Sequence, residues 1–296
     1  MSQELMAFLV NTFEATIRAG SPLLAGTLGE IYTERSGVLN LGVEGMMIMG
    51  AVTAFVVAQM THNVWLGVIA AAVVGALMAF IHAFMSITMR VNQYISGLAL
   101  AMVGLGLSSL IGQGYVGISG YSLTPILFDF DPLVFLFILL VPILWFVLFK
   151  TKAGINIRSV GENPAAADLL GIDVQLVRYA CTLFGGILAG LSGAYLSVSY
   201  IPSWTQNMTV GRGWIVLALT IFASWDPRGA LFGSWLFGGI EILQYRLQPL
   251  GVSPSLLGTL PFILTILILV IGTRETFRRR MGAPSALGKP YRRGEE

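Results

Sequence analysis

VWLGVIAAAVVGALMAFIHAFMSITM, residues 64–89, contains no Asp, Glu, Lys or Arg. About 20 apolar residues in a helix cross the hydrocarbon of a bilayer, so this stretch predicts a membrane-spanning helix. Its surroundings extend the reading, because residues 38–149 hold only four such ionisable side chains, Glu44, Arg90, Asp129 and Asp131. The whole chain of 296 residues is 55% hydrophobic and 11% charged, with a mean hydropathy of +0.79. Soluble domains carry roughly 25% charge, so water is not the main solvent here. The expected fold class is all-α, a polytopic transmembrane helical bundle of about 8–10 spans with broken helices.

Nine segments fit that length, at residues 7–28, 41–59, 64–89, 94–113, 132–149, 177–200, 213–224, 230–247 and 256–272. The seventh is short, and the second follows an irregular, charged stretch at residues 29–40 containing Glu30, Glu34 and Arg35. Irregular backbone at membrane depth survives only where protein buries it or a watery cavity faces it. Both places are therefore candidates for a solute pathway. The 35 glycines sit largely inside apolar runs, where small residues let helices approach closely.

Basic residues set the expected orientation. The tail after Thr273 holds Arg274, Arg278, Arg279, Arg280, Lys289, Arg292 and Arg293, seven of the 17 Lys and Arg, which predicts a cytoplasmic C-terminus. Four spans back, the loop carrying Lys150, Lys152, Arg158 and Arg178 falls on the same side, whereas residues 114–131 carry two acids and no base. With nine spans the N-terminus is external. Residues 1–10 lack a basic region and contain Glu4, unlike a cleaved secretory signal. The tail reads as a contact for anionic lipid, not nucleic acid, and its last dozen residues read as flexible. The domains expected are a transmembrane unit, residues 1–273, with a short cytoplasmic helix within 159–172, and a basic cytoplasmic tail, residues 274–296.

IRSVGENPAAADLLGIDV, residues 157–174, encodes a short helix in the cytoplasmic loop. Asn163 can cap it, Pro164 suits its first position and Gly171 supplies a left-handed stop. Two turns are marginal alone, so the rod must dock. One reading lays it on the bilayer; the other seats Gly161, Glu162, Asn163, Pro164, Ala166, Asp168, Leu169 and Gly171 in a cleft of a separate ATPase. Ala166 and Leu169 are then the positions where a new charge would release that partner.

Three stretches, GEIYTERSGVLNLGVEGMMIMGA (residues 29–51), SVGENPAAADLLGI (159–172) and ASWDPRGALFGSWLFGGIE (223–241), resemble the permeases of ABC importers for branched-chain amino acids, ribose-type sugars and nucleosides. The similarity runs over residues 13–272 and is greatest to the nucleoside-type subgroup. It implies a core of two permease subunits, often different paralogues, with two ABC ATPase subunits beneath and a solute-binding lipoprotein outside, in a bacterial inner membrane. The chain has no G-x-x-x-x-G-K-[ST] phosphate loop, so hydrolysis is expected in a separate subunit and the chain itself is not expected to be an enzyme.

Ionisable or polar groups within spans are default functional-site hypotheses. The pathway candidates are Asn40, Glu44, Asn92, Gln93, Trp214 and Glu241. Glu44 also has a structural reading, which is preferred, as a tether for the broken chain before it, and Glu241 has one as an ion-pair partner of Arg212 or Arg246. Trp204 reads as an interfacial anchor. His62 and His82 stand apart from any carboxylate or thiol cluster, and Cys181 is alone, so no metal, cofactor or catalytic residue is expected. The expected function is import of nucleosides or related small polar solutes. The alternatives are an ABC permease for simple sugars or riboflavin-like compounds, and an ion-coupled secondary transporter.

Overall fold

The computed structural model describes residues 2–251, 253–272 and 282–292. Twelve α-helices run in chain order among the described residues: α1 (Ser2–Arg35), α2 (Val43–Thr61), α3 (Val64–Ala83), α4 (Gln93–Gly112), α5 (Pro132–Lys150), α6 (Lys152–Glu162), α7 (Pro164–Leu169), α8 (Val174–Tyr195), α9 (Arg212–Phe222), α10 (Pro227–Leu247), α11 (Pro254–Leu257) and α12 (Leu260–Gly272). One π-helical turn each, Phe84–Thr88 and Leu196–Tyr200, extends α3 and α8. The nine expected spans fall on α1 to α5, α8 to α10 and α12. Five of these, with their π or 3-10 extensions, are long and apolar enough to cross a membrane: Val43–Thr61, Val64–Thr88, Gln93–Tyr115, Pro132–Lys150 and Val174–Tyr200.

Helix starts follow local chemistry. A side-chain oxygen that accepts from the first free amides replaces partners the helix cannot supply. Asn63 does this for α3, Asn92 for α4, Asp131 for α5, Asp173 for α8 and Asp226 for α10. In α5 and α10 a proline follows directly, at a position where its missing amide costs nothing.

The bundle is centred on α8, which packs against α1, α2 and α3, while α1 also packs against α10. These contacts are backbone to backbone, because glycines face carbonyls. A Cβ added at Gly20 would lie 2.5 Å from Ser234 O, and one at Gly190 would overlap Ala71 O. Pro22 lies within α1 and leaves the Arg18 carbonyl without its helical donor. Tyr195 of α8 donates to that carbonyl at 3.1 Å, and Ser192 donates to Pro22 O at 2.6 Å. The proline is thus absorbed by a neighbouring helix, as membrane burial demands.

Two differences from the sequence expectation concern the break and Trp204. The helix α1 continues to Arg35, so the irregular segment is residues 36–42 and not 29–40. Glu30 and Glu34 face protein, with Asn40 Nδ2 donating to Glu30 Oε2 at 3.4 Å and Trp225 Nε1 donating to Glu34 Oε2 at 2.5 Å. They therefore do not break the helix. Trp204 is fully buried against Gly112 and anchors no interface.

Candidate functional site

The chain leaves α1 through Gly37, whose φ of +89° suits glycine, and then runs as irregular backbone and a turn to Gly42. Its polar backbone is matched by side chains from three elements. Leu39 N donates to Gln93 Oε1 at 2.7 Å, and Leu39 O lies 3.0 Å from His82 Nε2. A carbonyl only accepts, so Nε2 carries the proton, and Nδ1 lies 3.1 Å from Ser96 Oγ. Asn40 Oδ1 accepts from Gly42 N at 3.0 Å. Gly97 of α4 admits this segment, since a Cβ there would stand 2.7 Å from Leu41 N. Gln93 Nε2 and Glu30 Oε1, both buried, have no partner among the described residues.

A second break lies between the π turn of α8 and α9, ending in the left-handed Gly211. The two broken elements meet at Glu44, in the first turn of α2. Its Oε1 accepts from Thr209 Oγ1 at 2.5 Å and from Gly211 N at 3.1 Å, and its Oε2 accepts from Gly213 N at 2.6 Å. One carboxylate thus lies at the amino ends of two helices. Both ends carry partial positive charge, so both favour the anion. Gly213 is required for the approach, because a Cβ there would sit 2.5 Å from Glu44 Cα.

Arg212, between these two amides, forms an ion pair with Glu241 of α10, both side chains 12% exposed. Arg246, the other partner considered for Glu241, instead lies 4.2 Å from the Phe8 ring centroid. Trp214, one residue into the same turn, is 40% exposed. Of the six pathway candidates, the structure therefore gathers Glu44, Trp214 and Glu241 around the start of α9, and Asn40 with Gln93 around the first break. Asn92 is exposed and spends its carbonyl oxygen on Tyr94 N and Ile95 N, at 2.9 and 3.3 Å. The residues missed by sequence reading are Thr209, His82 and Ser96. Only Thr209 had a local signal, the TVGRG run at residues 209–213.

The loop after α5 folds into α6 and α7. Asn163 Oδ1 accepts from Ala166 N at 3.0 Å, Pro164 opens α7, and Gly171 has φ +81°. Ala167 is buried with Val160 and Val174, which fixes α7 to α6 and α8. The other face is bare: Leu169 is 89% and Leu170 80% exposed. The helix α6, not foreseen, gives α7 a rigid base.

Residues 12–269 match the family model described as the permease component of branched-chain amino acid transport systems. The chain is 38% identical to a putative glucose ABC transporter permease protein of Haloferax volcanii, over 97% of this chain and 99% of that one. It is 35% identical to a guanosine ABC transporter permease protein of Bacillus subtilis, over 95% and 96% of the two chains. A nucleoside ABC transporter permease protein of Lactococcus lactis is 31% identical, over 96% of this chain and 98% of that one. A multi-pass helical bundle with two broken elements and a capped surface rod agrees with this match over nearly its full length. The chain belongs to the permease family of ABC transporters defined by the branched-chain amino acid transport system permease component.

Proposed function

We propose that this chain is the membrane-spanning permease subunit of a nucleoside importer, driven by ABC ATPase subunits that dock on α7. The observation that carries the docking is the bare Leu169 and Leu170 on a capped helix whose opposite face is locked down. A soluble protein surface rarely spends two adjacent leucines on water, and large exposed apolar groups mark interaction sites. The docking set is Gly161, Glu162, Asn163, Pro164, Ala166, Asp168, Leu169 and Gly171, on the cytoplasmic side together with the C-terminus. A second permease, of a different sequence, completes the pore, and an external lipoprotein delivers the solute.

The pathway passes the meeting point of the two breaks. Glu44 and Glu241 hold the start of α9 there, Trp214 offers a stacking surface, and Asn40 with Gln93 supports the first break. Asn92 serves α4 as its cap. The nucleoside assignment rests on the guanosine and nucleoside permeases among the relatives. The putative glucose permease, at 38% identity, favours a sugar as the second reading.

Leu169→Asp is expected to lose the ATPase on affinity purification while the bundle keeps its thermal midpoint. Retention of the ATPase at wild-type ratio would reject docking at α7. For the solute, uptake into vesicles carrying the whole transporter is expected to be competed by excess guanosine and untouched by excess glucose. The reverse pattern establishes the sugar reading.

A further inference from the structure

We infer that residues 282–292 form a strap that carries the movement of α7 to the re-entrant segment 36–42, a positioning role in energy coupling. The segment has the composition of a loose tail, yet Pro284 and Ala286 are buried. Two of its residues are tied to the break. Arg35 Nη1 donates to Gly282 O at 3.0 Å, and Gly288 N donates to Gly37 O at 3.3 Å. Its other bonds reach the loop that bears α7. Ser285 Oγ donates to Glu162 Oε1 at 2.5 Å, Ala286 N to Gly161 O at 2.9 Å, and Tyr291 OH to Asp168 Oδ2 at 3.0 Å.

Arg178 completes the junction. From α8 it donates to Ser36 O at 3.2 Å and to Lys289 O at 3.3 Å, so one buried guanidinium holds the break and the strap together. Residues 36 and 163 are far apart along the chain. Gly161 of α6 already lies against the break, since a Cβ there would stand 3.3 Å from Gly37 N, and the strap adds a second link that runs from Asp168 of α7 itself to Gly37. Coupling between sites needs such an element, whose position both ends can bias.

The inference rests on the ATPase docking at α7, and the test separates the two. Tyr291→Phe combined with Ser285→Ala removes two ties without touching Leu169 or Leu170. The reconstituted transporter is expected to keep its ATPase and to hydrolyse ATP, while less solute is imported per ATP hydrolysed than in wild type. An unchanged ratio overturns the strap. Loss of the ATPase from this variant also overturns it, since the segment would then be a docking surface. A second variant guards against simple misfolding: Tyr291→Phe alone, which removes one tie and leaves every residue of the docking set in place, is expected to lower the same ratio by less, and an unchanged ratio overturns the inference. Should Leu169→Asp retain the ATPase, docking at α7 fails, whereas the ratio in the Tyr291→Phe variant still reports whether the strap couples to the break.

Discussion

Glu44→Ala is expected to abolish transport and to lower the thermal midpoint of the detergent-solubilised protein by on the order of 10 °C. The substitution strands the Thr209 hydroxyl and the amides of Gly211 and Gly213, which all donate to this carboxylate. An unsatisfied buried donor costs about 1–3 kcal/mol, and the losses overlap because α9 can shift to relieve some of them. The anion also stabilises two helix amino ends, worth up to about 2 kcal/mol in a partly buried setting. A total of about 3–5 kcal/mol is a large share of what holds a domain together.

Glu44→Gln separates a clamp from a solute contact. Glutamine keeps one oxygen for Thr209 and Gly211, but turns an NH2 group toward Gly213 N, so it is expected to fall between wild type and alanine in thermal midpoint. As a clamp, the variant loses maximal uptake rate for every solute with little change in KM. A KM that rises for one solute class while the melting temperature stays put would instead make Glu44 a binding group. Differential scanning fluorimetry and uptake kinetics on the same preparation decide this.

Span positions were legible in the sequence because the length of an apolar run is a local property. The same holds for α7, where Asn163, Pro164 and Gly171 each act within a few residues of themselves. The extent of the first break was not legible. Glu30 and Glu34 resemble helix disruptors in lipid until their partners are known, and Trp225 lies 191 residues beyond Glu34. The partners of Glu44 were not legible either, since Thr209 lies 165 residues away. The strap escaped for a related reason, since glycine, proline and serine read as loose until a surface is present to receive their backbone.

The bundle centre supplies the other large effect, and there one residue type has opposite outcomes by position. Gly190→Leu is expected to leave no folded, monodisperse protein after extraction. A Cβ at Gly190 overlaps Ala71 O, and Gly50 already lies so close that its own Cβ would stand 2.7 Å from Gly190 Cα. Added atoms in a packed core usually cost 1–3 kcal/mol when side chains can give way. Here the obstacles are backbone of α2 and α3, which move only as whole helices, so a cost above about 4 kcal/mol is expected. In α4, Gly106 has no atom within 4 Å of its missing Cβ, and Gly106→Ala is expected to be neutral or to stabilise by up to about 1 kcal/mol through helix propensity. Size-exclusion profiles of the two variants check the pair. A monodisperse Gly190→Leu would show that α2, α3 and α8 do not meet through glycine, and with that the placement of Glu44 against α9 would lose its support, because α2 carries the carboxylate into position.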